Sequence, residues 1–247
     1  ARFGRIEAVS VHPTSVEPYD ALLVVSFGGP EAASDVVPFL ENVTRGRDVP
    51  ADRLAEVAHH YDAVGGRSPI NDQNRALVAA IEHELADAGL SVPVYWGNRN
   101  WHPFLADELA RMRDDGVRRA AAFVTSVYSS YSGCRQYRED LADAATVVGP
   151  RAPRIDRLRY GFDHPGFVRA NADAVVGALG DLPAAAAAGA RLAYVTHSIP
   201  VTMAATSGPG GGAYEAQHRA VAAAVTRDVD ARTGIRHEHD LVYCSRS

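Results

Sequence analysis

The chain has 247 residues, with 25 Lys and Arg set against 30 Asp and Glu for a net charge of −5, and 47% of it is apolar. Such a composition is ordinary for a folded, soluble chain and too acidic for nucleic acid to be its main partner. No apolar run reaches the roughly 20 residues of a membrane-spanning helix, and two distant cysteines, Cys134 and Cys244, exclude a disulfide framework, so a reducing cytoplasm is the expected setting.

Residues 1–19 carry charges but no apolar h-region, so they read as an extension ahead of the first strand and not as a secretory signal. The run ALLVVSF (21–27) predicts the first strand, and helical patterns follow near 33–42, 51–63 and 71–88. VPVYWG (92–97) is the next strand, then a helix over 103–115 that starts on Pro103 and has Asp107 and Glu108 in its early turns. RRAAAFVT (118–125), a helix over 135–146 and RIDRL (154–158) come next, followed by a helix over 165–179 opened by Pro165. The segment GDLPAAAAAGAR (180–191) reads either as a linker or as a short helical turn, and a domain boundary is expected near it. ARLAYVT (190–196), a helix over 213–233 and DLVYCS (240–245) complete the pattern. Continuous apolar strands alternating with helices indicate an α/β fold, with parallel sheets covered on both faces. The glycines of SGPGGGAYEAQ (207–217) do not fit G-x-G-x-x-G and follow a loop instead of a strand, which disfavours a nucleotide site.

Ligands of such sheets sit outside the carboxyl ends of the strands. The segments there are SFGGPE (26–31), GNRNWHP (97–103), TSVYSSYSGC (125–134) and THSIP (196–200), joined by HYDAVGGRSPIN (60–71) between two helices. Paired glycines, aromatic rings, an arginine, hydroxyls and one histidine suit a large, flat, partly apolar ligand with anionic edges better than a phosphate.

The stretches LLVVSFGGPE, FLENVTRGR, HYDAVGGRSPIN, GNRNWHPF, SSYSGC and THSIP occur in the order and approximate spacing of the ferrochelatase family, from about residue 20 to the last residue. The sequence is most similar to actinobacterial enzymes that insert iron into coproporphyrin III. The resemblance implies two similar Rossmann-like, chelatase-type units with a porphyrin cleft between them. These are expected at 20–180 and 181–247, with parallel sheets flanked by helices and the second unit incomplete. It also implies a reaction in which two pyrrole protons leave and Fe²⁺ enters the ring, on either coproporphyrin III or protoporphyrin IX.

By the same resemblance His197 is the catalytic base and iron-site residue, a role an imidazole with a pKa near 6.5 can fill. Ser198 and Pro200 shape its turn. Phe27 stands where some relatives carry an iron-ligating tyrosine; lacking a donor atom, it packs either on the macrocycle or in the core. Arg99 resembles the family's arginine that points towards the cleft, Arg45 and Arg47 either suit propionates or belong to a solvated helix terminus, Tyr61 and Ser68 resemble pocket-lining residues, and Trp101 either stacks or fills the core. Cys134 matches the internal ligand of the iron–sulfur (2Fe–2S) cluster found in some members, and is otherwise a small buried thiol. A cluster takes about four thiolates, so one is expected only if a longer chain supplies more cysteines. LVYCSRS resembles a strand that in the family runs on into a glycine-proline turn and a PWL segment. The acidic partners of the histidine are expected beyond it, and these residues are then either part of a longer chain or a degenerate relative. A non-catalytic porphyrin- or haem-binding protein is the alternative to the enzyme.

Overall fold

A computed structural model describes residues 18–46, 48–63 and 65–244, without the side chains of 132–134. Arg47, the Cys134 side chain and nearly all of the 1–19 extension therefore lie outside the described residues.

The chain divides by its internal contacts into two compact units, the first formed by 1–125 with 140–158 and the second by 126–139 with 159–247. The boundary expected at 180/181 is thus not where the chain divides. The alanine-rich segment, read either as a linker or as a short helical turn, lies inside the second unit, where Ala184–Ala188 forms a short helix. Of the two readings that the composition allowed, the short helical turn is the one found, as five alanines favour.

In the first unit, β1 (Ala21–Ser26), β2 (Val94–Asn98), β3 (Arg119–Val124) and β4 (Arg154–Arg157) form a parallel sheet in the order β2-β1-β3-β4. Leu23, Val24 and Val25 on β1 are wholly buried, as are Ala120 and Ala122 on β3. Burial on both faces is why these strands read as unbroken apolar runs instead of alternating. Parallel neighbours need a crossover, and helices supply it. After β1 come α1 (Val36–Thr44), α2 (Ala51–Asp62) and α3 (Ile70–Asp87); α4 (Leu105–Asp114) links β2 to β3, and α5 (Tyr137–Val148) precedes β4. In α4 the spacing of Leu105, Leu109 and Met112 puts all three on one buried stripe, with Asp107 and Glu108 in the first turn and Arg111 and Arg113 in the last, as the helix dipole favours.

In the second unit, α6 (Pro165–Gly180) and the short α7 (Ala184–Ala188) lead to β5 (Leu192–His197), which pairs in parallel with β6 (His239–Cys244). Between the two strands lie α8 (Val201–Ala205) and α9 (Ala213–Thr233). Pro165 begins α6 as expected, and His164 caps it by accepting from the Gly166 amide. The core is Ala172 and Leu179 of α6 against Val221, Val225 and Val229 of α9. Tyr131–Gln136, ahead of α5, winds as one π-helical turn, a form that helical periodicity in the sequence does not reveal.

Leu109 is fully buried. Leu109→Ala is expected to lower stability by about 2–5 kcal/mol, read from urea unfolding, whereas truncation of the exposed Leu158 is expected to change it by under about 0.5 kcal/mol.

Candidate functional site

At the carboxyl end of the first sheet, the parallel ladder continues briefly past the strands. The Arg99 amide donates to the Ser26 carbonyl at 3.1 Å, and the Asn100 amide donates to the Phe27 carbonyl at 3.1 Å. Beyond that point side chains take over. Asn98, wholly buried, donates from Nδ2 to the His102 carbonyl (3.0 Å) and to Asn71 Oδ1 (3.2 Å), and its Oδ1 accepts from the Trp96 indole (3.0 Å). Asn71, equally buried at the start of α3, reaches Glu31 Oε1 at 2.8 Å, the His102 carbonyl at 3.1 Å and the Gly29 carbonyl at 3.3 Å. The two amides join the three segments SFGGPE, SPIN and NRNWHP.

The paired glycines of SFGGP have a steric reason. Gly28 has φ +79°, and a Cβ there would stand 2.8 Å from Asn98 Cβ. A Cβ on Gly29 would stand 2.7 Å from Ile70 and 2.8 Å from Ser68. The Ser68 amide in turn donates to the Pro30 carbonyl at 2.8 Å.

Four of the sequence-selected aromatic and arginine positions meet in this unit. Phe27 is half-buried and meets Phe39 edge-on at 6.2 Å; Phe39 meets Tyr61 at 6.1 Å and Trp101 at 6.3 Å. Val36 and Leu40 complete the cluster. Burial pushes the Tyr61 phenol up from its ordinary value. The Arg99 guanidinium lies 5.6 Å from the centre of the Phe27 ring and pairs with Asp140 at 3.0 Å, its side chain only 7% exposed. A cleft of about 450 Å³ is lined by Arg45, Arg99, Asn42, Asp107 and Asp140 among others. Arg45 is exposed at its rim and donates to the Asn42 side chain. The first unit thus carries an aromatic cluster and a separate cleft lined by two guanidinium groups, groups of the kind that suit planar faces and carboxylates.

His197 belongs to the second unit, as the last residue of β5, and is exposed. Its neighbour in register is the exposed Cys244, whose carbonyl accepts from the Ser198 amide at 3.0 Å. Pro200 opens α8. The His197 carbonyl accepts from the Tyr214 hydroxyl at 2.8 Å. Tyr214 lies in the first turn of α9, anchored where its amide donates to Ser207 Oγ at 2.8 Å. One turn on, His218 places Nδ1 2.8 Å from the Tyr214 carbonyl and Nε2 2.7 Å from Thr196 Oγ1. Tyr128 stacks on the His218 ring at 3.6 Å, and Gln217 grips both the amide and the hydroxyl of Ser129. Burial pushes the His218 imidazole down and the Tyr128 phenol up.

The sequence did not single out Thr196, Tyr214, Gln217 or His218. A signal existed: 214, 218, 221, 225 and 229 lie on one stripe of α9, whose apolar members are valines and whose first two are polar. Among the described residues, no group of three or more His, Cys, Asp and Glu is arranged to hold a metal, and no helix is long and apolar enough to cross a membrane.

An α/β protein whose strand ends carry aromatic, guanidinium and imidazole groups is thereby defined. The sequence model of the ferrochelatase family matches residues 19–247, and the chain belongs to that family. It is 56% identical over 238 residues to the coproporphyrin III ferrochelatase of Streptomyces griseus, a match covering 93% of this chain and 64% of that one. The coproporphyrin III ferrochelatase of Frankia alni is 56% identical over 230 residues, covering 92% and 58%. The ferrochelatase of Rhodopirellula baltica is 47% identical over 234 residues, covering 95% and 64%. The chain thus spans just under two thirds of the length of the Streptomyces relative.

Two outcomes are expected. Asn98→Ala leaves the Trp96 indole and Asn71 short of partners and lowers stability by about 2–4 kcal/mol, read from urea unfolding. The His218 imidazole titrates below about 6.5 in an NMR titration; because its folded value lies below its unfolded one, its contribution to stability declines as pH falls beneath about 6.5 and is absent as a pH effect above it.

Proposed function

We propose that this protein inserts ferrous iron into coproporphyrin III, with His197 accepting the pyrrole protons and lying at the iron's entry point. The observation that carries this reading is the 56% identity over 238 residues to proteins named coproporphyrin III ferrochelatases. The exposed imidazole at the end of a parallel strand is consistent with it. Iron and porphyrin are both substrates. Two N–H bonds of the macrocycle break, the ferrous ion exchanges water ligands for the four ring nitrogens, two protons leave and no electron is transferred.

In this reading Phe27, Tyr61 and the neighbouring rings support the macrocycle through apolar contact, and Phe27 has no atom to offer iron. Arg45 and Arg99 pair with the propionates, and Ser68 lines the pocket beside Gly29. His197 takes a proton as the neutral imidazole, through the ring nitrogen that carries no hydrogen. Cys134 ligates an iron–sulfur cluster only where a longer chain supplies further cysteines towards the roughly four thiolates needed, and no step is assigned to a cluster. The reducing cytoplasm is the proposed setting, on the widely spaced cysteines and the composition.

The test is anaerobic insertion of Fe²⁺ into coproporphyrin III, followed by loss of porphyrin fluorescence. The protein is expected to turn over. His197→Ala is expected to slow insertion by about 10²–10⁴-fold while porphyrin affinity changes by less than about threefold, or under 1 kcal/mol. Tight porphyrin binding without turnover by the unaltered protein would replace the enzyme with a porphyrin-binding relative, and unchanged turnover by the variant would remove His197 from the chemistry.

A further inference from the structure

We propose that Tyr214 and His218, with Thr196 between them, are positioning residues that fix the backbone corner at His197; the catalytic part of this inference rests on the function proposed above. His197 ends its strand, and beyond it the ladder gives way to the turn at Pro200. The peptide that carries a side chain at such an end sets where its Cα–Cβ bond points. That peptide's carbonyl is held by the Tyr214 hydroxyl at 2.8 Å.

The protons behind this bond can be counted. His218 Nδ1 faces the Tyr214 carbonyl at 2.8 Å, and a carbonyl only accepts, so Nδ1 bears the hydrogen. Burial favours the neutral ring, so Nε2 is the acceptor and Thr196 Oγ1, 2.7 Å away, donates to it. Thr196 has no second proton, and its hydroxyl cannot also donate to the Tyr214 oxygen 3.1 Å away. The Tyr214 proton is therefore directed at the His197 carbonyl, with Thr196 Oγ1 as its secondary acceptor. Each hydroxyl has one orientation that satisfies its neighbours. Thr196, Tyr214 and His218 are 9%, 7% and 8% exposed, so water cannot readily stand in for a lost partner. Tyr128 covers the His218 ring at 3.6 Å, and the short α8, whose last turn Ser207 links to the Tyr214 amide, closes the same corner.

This arrangement is more than packing. Valine in place of Thr196, or phenylalanine in place of Tyr214, fills nearly the same volume, so a purely steric role would survive either change. Orientation of His197 would not.

The experiment uses two isosteric variants, Tyr214→Phe and Thr196→Val, with Thr196→Ser as the conservative counterpart. The first readout needs no turnover: the imidazole resonances of His197, assigned by their loss in His197→Ala. They are expected to shift or broaden in Tyr214→Phe and Thr196→Val and to return towards their native positions in Thr196→Ser. The second readout is kinetic: kcat for iron insertion is expected to fall about tenfold in the first two variants with KM for porphyrin unchanged, the effect of one lost oriented hydrogen bond. Native His197 resonances in folded Tyr214→Phe and Thr196→Val overturn the proposal. If the unaltered protein does not insert iron, the proposed function fails while the resonances still decide the positioning role. Should Tyr214→Phe not fold, the comparison of Thr196→Val with Thr196→Ser decides the question in its place.

Discussion

A parallel sheet stops abruptly at its carboxyl end. Each strand there presents carbonyls and amides whose ladder partners have run out, in the place where a ligand is to be met, so water cannot be relied on to satisfy them. Nearly everything distinctive in this chain answers that constraint. In the first unit two buried asparagines do so, Asn98 from the end of β2 and Asn71 from the start of α3, and their amides take up the loop carbonyls of Gly29 and His102. In the second unit the answer comes from helix α9, whose Tyr214 hydroxyl takes the last carbonyl of β5. Amide in one case and phenol in the other, the physical role is the same: a side chain replaces the missing strand.

The constraint also accounts for the glycines. Asn98 can reach across only if the neighbouring loop comes within contact distance, and a side chain at Gly28 would occupy that space. The aromatic cluster of Phe27, Phe39, Tyr61 and Trp101 then sits beside a loop that is already rigid. Arg99 is held over Phe27 and beside Asp140, so its guanidinium has two partners that fix its position.

Fold class and element order were legible because they rest on periodicity. Strands buried on both faces announce themselves as ALLVVSF or RRAAAFVT, and a stripe such as Leu105, Leu109 and Met112 announces a helix. The candidate residues Phe27, Tyr61, Arg45 and Arg99 were legible through their motifs, and the structure gathers them in one unit. Less legible were features set by single contacts. Asn71 and Asn98 resemble any polar residues at element ends, and nothing in their spacing reveals that they face each other. Tyr214 and His218 lie on a helix behind a glycine-rich loop that fits no ligand motif, so no spacing marked them as partners of the strand end. The division of the chain was not legible because its units are discontinuous, and composition along the chain does not show which separated pieces pack together.

That division has a consequence for how the protein can be taken apart or assembled. The first unit receives its last strand, β4, only after the chain has already contributed 126–139 to the second. No single cut separates the two: any one break leaves at least one half holding sequence that belongs to the other's core. On the ribosome the first sheet cannot close until β4 has emerged, and by then a piece of the second unit is waiting for core helices that are still to be made. A fragment made by one cut therefore keeps part of one unit or lacks part of the other, and moving the termini by circular permutation leaves the alternation of the two units in place.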